Sequence, residues 1–196
     1  MINKIMNIKE DDPMYKVLTK ELDNVSDDSL VIVARSYKNR KNDQIQPIEI
    51  KNGIYFYVGY DLSNKTAFLG NVTPPQIKKA KENMMKRARI GTMREILITG
   101  GVDVDEFRPT AYPMNIVTLD CGMYGAGMLY CEDFLRRMEN KIGKYYIIPS
   151  SIHELIFVPV DVMGIDDLTD MVLEVNQTVD DNDFLADKAF EISDWN

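Results

Sequence analysis

The feature that most constrains this chain is an alternation of two apolar patterns after Met114. Short segments rich in β-branched and aromatic residues alternate with longer segments whose apolar residues recur every three or four positions. The short connections favour an antiparallel sheet with helices packed mainly on one face. We therefore predict an α+β fold, with a C-terminal β-β-α-β-β-α unit at 114–119, 126–130, 132–142, 144–148, 155–160 and 166–175.

The N-terminal part contains further strand and helix patterns. The predicted helices lie at 14–22, 73–89 and 92–98, and the predicted strands at 30–37, 45–50 and 54–60. Asn52-Gly53 predicts a tight turn between the last two strands. The segment 102–113 is acidic and irregular, which is typical of a linker. The sequence thus favours an N-terminal region at 1–110 and a C-terminal α+β unit at 111–196, or one continuous domain.

Charge and cysteine content limit the classes of function. The net charge is −8, which weighs against nucleic acid as a partner because its phosphates would be repelled. No apolar run approaches the roughly 20 residues that a membrane span needs, and no signal-peptide pattern is present. We therefore expect no membrane and a cytoplasmic protein with Cys121 and Cys131 reduced. Because the cysteines lack metal-ligand spacing, we expect no metal and no other cofactor.

Four polar residues between two predicted strands form the candidate functional turn. Ser150, Ser151, His153 and Glu154 place two hydroxyls, the single imidazole of the chain and a carboxylate within five residues. Loops between strands often present functional groups. A Ser–His pair could supply a nucleophile and its base, with Glu154 or a distant Asp as orienter. The alternative is structural, with the serines satisfying backbone groups of a tight turn.

The C-terminal region is dense in carboxylates. Acidic residues recur from Asp161 to Asp194, and apolar residues such as Leu168, Val172 and Trp195 are interleaved with them. The apolar residues indicate that much of this region packs. If the carboxylates shared one exposed face, they could occupy a nucleic-acid-binding site on another protein.

Four segments of the C-terminal half carry a family resemblance. They read MNIVTLDCGMYGAGMLY, YYIIPSSIHELIFVP, MVLEVNQTV and DFLADKAFEI. In order and spacing they resemble an uncharacterised family of bacterial proteins, a domain of unknown function found in Gram-positive gut bacteria and their mobile elements, over roughly residues 68–192. The resemblance implies a recurring pattern that contains the PSSIHE turn, and it implies no activity, substrate or cofactor. The candidate binding residues are Ser150, Ser151, His153, Glu154, Asn176 and Asp187.

Three functional hypotheses follow from the sequence. The first is a non-catalytic binding or regulatory protein of a bacterial cytoplasm, with a protein as its possible partner. The second is a hydrolase-like enzyme that uses Ser150 or Ser151 with His153. The third is an acidic mimic of nucleic acid. The first is favoured because the sequence lacks a complete nucleophile–base–orienter set, a metal set and a phosphate-binding loop.

Overall fold

The computed structural model describes residues 25–40, 45–62, 66–110 and 113–195. Within these ranges the chain forms two antiparallel β-sheets and four α-helices. The α+β class that the sequence predicts is therefore confirmed. The helix predicted at 14–22 lies outside the described residues.

The first sheet is built around its longest strand, β3. Its strands are β1 (Leu30–Arg35), β2 (Glu49–Lys51), β3 (Ile54–Asp61) and β4 (Thr66–Phe68). β3 pairs with β1 along one edge and with β2 and then β4 along the other, antiparallel in each case. Asn52 and Gly53 form the predicted tight turn, and both have positive φ, 53° and 79°, as a type I′ turn requires.

Helix α1 (Pro74–Arg87) packs against β1 and leads directly into the second sheet. The Asn83 side-chain amide donates to the carbonyl oxygen of Leu30 at 3.1 Å. The backbone N–H of Ile32 donates to the sulfur of Met84 at 3.1 Å. Both contacts are buried, so α1 satisfies polar groups at the edge of β1 as well as packing on it.

The second sheet has the strand order β10-β8-β9-β7-β5-β6, with every pair antiparallel. Its strands are β5 (Ala88–Gly91), β6 (Val102–Asp103), β7 (Asn115–Leu119), β8 (Tyr145–Ile148), β9 (Leu155–Pro159) and β10 (Phe190–Glu191). The remaining helices are α2 (Met93–Thr99), α3 (Glu132–Ile142) and α4 (Ile165–Val175). The sheet thus takes strands from both sides of residue 110, and the division into two units stays a prediction.

The two faces of the second sheet bury different partners. Tyr145, Ile147 and Phe157 belong to the main core, together with the buried face of α3. Ile148 and Val158 pack instead with the underside of α4 in a smaller core. Because alternate residues of a strand face opposite sides, α4 lies on the face away from the main core. Helix α4 therefore departs from the prediction that the helices pack mainly on one face of the sheet.

One predicted strand is wrong. Residues 126–130 lie in the 3₁₀-helix Gly125–Tyr130, so the C-terminal order begins strand, 3₁₀-helix, helix rather than β-β-α. The reason is close backbone packing, because a Cβ atom on Gly127 would lie 2.0 Å from the carbonyl oxygen of Ile32 in β1. Glycine permits this approach, which the apolar pattern of the segment does not report.

The expected linker at 102–113 is also wrong in part. Residues Val102–Asp103 form β6, which pairs with β5. Val104 and Phe107 are buried in the main core. A linker would expose its side chains, whereas this segment anchors the edge of the second sheet. Because acidic residues surround Val104 and Phe107, the sequence pattern did not identify these two positions as core residues.

Candidate functional site

The PSSIHE turn connects β8 to β9, and its polar groups contact one another. The Ser150 hydroxyl donates to Glu154 Oε1 at 2.9 Å. The Ser151 hydroxyl accepts from the backbone N–H of His153 at 3.0 Å, a contact typical of a serine-stabilised turn. Both hydroxyls therefore close the loop between the paired strands.

His153 joins the turn to the strand region beside it. Its carbonyl oxygen accepts from the Gly125 N–H at 2.8 Å and from the Thr118 hydroxyl at 3.0 Å. Its imidazole Nε2 lies 3.5 Å from Asp183 Oδ1, and the ring meets Tyr124 edge-on. Neither serine hydroxyl of the turn is bonded to the imidazole, so these contacts give the ring no nucleophile to activate.

Burial lowers the pKa of the His153 imidazole below its ordinary value, and the positive charge of Arg35 acts in the same direction. The carboxylates of Asp183 and Glu154 oppose this shift. The net direction keeps the ring neutral at neutral pH. A neutral, partly buried imidazole beside a carboxylate is compatible with a structural role.

The loop 180–187 brings most of the predicted site residues into one network. The Ile152 N–H donates to the Asp183 carbonyl at 2.9 Å, which ties the loop to the PSSIHE turn. Asn176, at the end of α4, donates through its side-chain amide to the Ala186 carbonyl at 2.8 Å. Asp187 is exposed at the end of the same loop. The functional role of these residues stays a prediction.

The same loop is held from the other side by the turn after β1. The side-chain amide of Asn39 lies within hydrogen-bond distance of the carbonyls of Asp181, Asn182 and Phe184, at 3.0, 3.0 and 2.7 Å. The Lys38 ammonium lies 2.9 Å from Asp181 Oδ1. The loop therefore crosslinks the first sheet to the PSSIHE turn of the second sheet.

Besides Asn39, two further residues of this junction are missed by the sequence reasoning. Arg35, at the end of β1, donates to the Asn182 carbonyl at 3.3 Å, and burial lowers its pKa. Tyr124 has a left-handed backbone, with φ of 64°, and its hydroxyl lies 2.9 Å from the Thr66 hydroxyl. A strand-end arginine and a tyrosine before a glycine carry no sequence signal for a contact that forms only on folding.

A second ionic group lies at the end of β3. The Arg87 guanidinium bridges Asp61 at 2.7 Å and Asp120 at 2.9 Å. Partial burial opposes the charge on Arg87, but the hydrogen bonds that the guanidinium donates to both carboxylates outweigh this effect and raise its pKa. This triad joins α1 to the ends of β3 and β7, and it is consistent with a structural contact.

The family of the chain is shown by a match over residues 61–193 to a family described as "Family of unknown function (DUF5688)". The chain belongs to this family. The expectation of an uncharacterised domain family over the C-terminal two thirds is thereby confirmed, while its bacterial distribution stays a prediction. The match contains the whole second sheet and the PSSIHE turn. No curated protein and no solved structure matches the chain.

Across the described residues, no group of three or more His, Cys, Asp or Glu side chains is arranged to hold a metal ion. The helices of those same ranges include none with the length and apolar character needed to cross a bilayer.

Helix α2 exposes an unusual amount of apolar surface. None of its residues is buried, and Leu97 and Ile98 are 76% and 69% exposed. A mostly apolar groove of about 740 Å³ runs along the helix. Exposed apolar patches of this kind mark binding surfaces in folded proteins. The exposed apolar residues on and beside α2 are here called the α2 surface. They are Met93, Leu97, Ile98, Val102 and Met114.

Helix α4 combines exposed apolar residues with carboxylates. Leu168 and Val172 pack on the second sheet, whereas Met171, Leu173 and Val175 are 39%, 48% and 55% exposed. Four acidic residues are exposed on the same helix. We call this the outer face of α4, formed by Asp166, Asp167, Asp170, Met171, Leu173, Glu174 and Val175.

Proposed function

We propose that this DUF5688 member is a non-catalytic binding protein that recognises a protein partner through its exposed surface. The observation that carries the proposal is the exposure of large apolar side chains on two helices, α2 and α4. Such exposure lowers the solubility of a free chain and favours burial against a partner.

The contacts of the PSSIHE turn support binding over hydrolysis. A hydrolase that uses Ser150 or Ser151 with His153 would need the serine hydroxyl within about 3 Å of the imidazole. Instead, the Ser150 hydroxyl is bonded to Glu154 and the Ser151 hydroxyl accepts from the His153 backbone. Both serine hydroxyls and the Glu154 carboxylate are thus engaged in contacts within the turn. Its proposed role is to position the loop 180–187.

The proposed setting is the cytoplasm of a bacterium. Cys121 and Cys131 are both free thiols, one exposed and one buried. Free thiols persist in a reducing compartment, which supports the cytoplasm. Burial raises the pKa of the Cys131 thiol to about 12, so this residue behaves as a small core side chain. The bacterial source is supported by the family resemblance alone.

The binding proposal is tested by affinity capture with the full chain and two surface variants. The variants are Met93→Ser/Leu97→Ser on α2 and Met171→Ser/Leu173→Ser on α4. We expect the wild type to retain a bacterial protein in stoichiometric amount and at least one variant to lose it. Because all four side chains are exposed, the thermal unfolding midpoints should stay close to that of the wild type.

The hydrolase hypothesis is tested by labelling the protein with a fluorophosphonate, which reacts with activated serine hydroxyls. We expect no adduct on Ser150 or Ser151, as judged by the mass of the intact protein. An adduct on either serine that disappears in His153→Gln would show an activated nucleophile. That result would replace the binding proposal with the hydrolase.

A further inference from the structure

We propose that the outer face of α4 docks a Lys- and Arg-rich amphipathic segment of another protein. This inference rests on the proposed function and names the class of partner. It depends on three features of α4: its charge, the lack of ion-pair partners for that charge among the described residues, and the arrangement of apolar residues beside it. The family resemblance plays no part in it.

The charged residues of α4 are all acidic, and so are those of the chain on either side of it as far as Lys144 and Lys188. From Tyr145 to Asp187 the chain contains ten Asp and Glu residues and no Lys or Arg. Four of these carboxylates lie on α4 itself, and Asp161 lies in the connection that precedes it. A face of one sign attracts a partner of the opposite sign and speeds its association.

The α4 carboxylates are not paired within the described part of the chain. Elsewhere on the surface, Asp28 pairs with Lys79 at 2.6 Å, Asp105 with Arg137 at 3.0 Å, and Asp133 with Arg136. No salt bridge between described residues involves an acidic residue of α4. Helices α1 and α3 thus carry cations that pair with nearby carboxylates, whereas α4 carries no Lys or Arg.

Helix stability does not explain all four acidic residues. Asp166 and Asp167 lie in the first turn, where the helix macrodipole favours negative charge. Asp170 and Glu174 lie four residues apart, where like charges repel, and Glu174 lies in the last turn, where the macrodipole disfavours it. These two carboxylates weaken the free helix, and a basic partner would reverse that effect.

The apolar residues distinguish docking from simple charge attraction. At about 100° per residue, Leu168 and Val172 define the buried side, and the carboxylates form a ridge on the opposite side. Met171 and Val175, one turn apart, flank the ridge on one side, and Leu173 flanks it on the other. A basic amphipathic segment could pair its charges with the ridge and cover the flanks with its apolar side chains and lysine stems.

The experiment measures binding of a synthetic helical peptide composed of Leu and Lys in an amphipathic order. A peptide of the same composition in a scrambled, non-amphipathic order serves as the reference. Binding of labelled peptide to the full chain is followed by fluorescence anisotropy. We expect the ordered peptide to bind more tightly than the scrambled one, and the dissociation constant to rise with salt.

Two pairs of matched variants locate the binding surface. Met171→Ser/Leu173→Ser is compared with Met93→Ser/Leu97→Ser, which removes the same residue types from α2. Asp167→Asn/Glu174→Gln is compared with Asp133→Asn/Glu132→Gln, which removes the same charges from exposed positions of α3. We expect each α4 variant to raise the dissociation constant about tenfold, and each control to leave it within about twofold.

Several outcomes would overturn the inference. If Met171→Ser/Leu173→Ser binds like the wild type, or the scrambled peptide binds as well as the ordered one, the face acts by charge alone, as in a mimic of nucleic acid. If the α2 or α3 control weakens binding equally, α4 is not the docking surface. If the protein captured from lysate is lost with the α2 variant and retained by the α4 variant, this inference fails while the proposed binding function stands.

Discussion

The PSSIHE turn and the outer face of α4 are both dense in polar residues, yet they use them in opposite ways. In the turn, Ser150, Ser151 and the His153 carbonyl all have partners within the chain. On α4, none of the carboxylates is paired with a described cation, and apolar side chains stand exposed beside them. Hydrogen bonds that are satisfied internally hold a fold together, whereas exposed groups remain available to a partner.

This difference separates the two regions energetically. Changes at the turn and its neighbours should lower the free energy of unfolding and leave peptide binding intact. Changes on the outer face of α4 should do the reverse.

The largest effect is expected where the turn meets Gly125. A Cβ atom at this position would lie 2.5 Å from the His153 carbonyl oxygen and 2.7 Å from the Cα of Thr118. We expect Gly125→Ala to lower the free energy of unfolding by about 3 kcal/mol, because backbone atoms must move apart. Gly164→Ala, at the N-cap of α4, places its Cβ at an ordinary contact distance, 3.5 Å from Asp167 Oδ2, and should cost about 1 kcal/mol or less. Urea unfolding measures both, and equal losses would contradict the contrast.

A second test compares the two sides of α4. Leu168 is fully buried and Leu173 is about half exposed. We expect Leu168→Ala to cost about 2–5 kcal/mol through the cavity that it leaves, and Leu173→Ala to cost about 0.5 kcal/mol or less. The order should invert for binding of the Leu/Lys peptide. A large stability loss in Leu173→Ala would show that the outer face is structural.

A third test separates two residues of the predicted site. Asn176 donates to the Ala186 carbonyl at 2.8 Å, whereas Asp187 is exposed. We expect Asn176→Ala to lower the free energy of unfolding by about 1 kcal/mol, and Asp187→Ala to change it by less than about 0.5 kcal/mol. Thermal unfolding of both variants and of the wild type measures the two differences. A larger loss in Asp187→Ala would reverse the assignment.

The smallest effect is expected from His153. Because burial lowers the pKa of its imidazole below 6.5, the unfolded chain binds a proton at higher pH than the folded chain does. Stability from this residue is therefore lost as the pH falls below about 6.5. We expect His153→Gln to lose less free energy of unfolding than the wild type between about pH 7.5 and about pH 5.5. Identical losses would show that the ring is not desolvated.

Much of the fold could be predicted from the sequence because local patterns decide it. The Asn52-Gly53 pair specifies a type I′ turn by its tolerance of positive φ, and the structure has that turn. The apolar spacing of 132–142 and 166–175 predicts helices that the structure places at Glu132–Ile142 and Ile165–Val175. Period and turn chemistry are properties of neighbouring residues, so a sequence expresses them directly.

The candidate site was only partly predictable, for a different reason. The spacing of Ser150, Ser151, His153 and Glu154 locates a polar turn between two strands, as the structure confirms. It does not report Arg35, Asn39 or Tyr124. The contacts of Arg35 and Asn39 join segments that are more than a hundred residues apart, and the position of Tyr124 depends on its left-handed backbone. Contacts of this kind exist only after the sheets have packed together.

By itself, the sequence determined the α+β class, the positions of most strands and helices, and the excess of carboxylates after Tyr145. Tertiary structure decided which polar groups find partners, since it closed the PSSIHE turn by internal hydrogen bonds and left the outer face of α4 exposed. It also decided that 126–130 forms a 3₁₀-helix packed against β1. The physical reason is that local conformation depends on neighbours along the chain, whereas satisfaction of a polar group depends on neighbours in space.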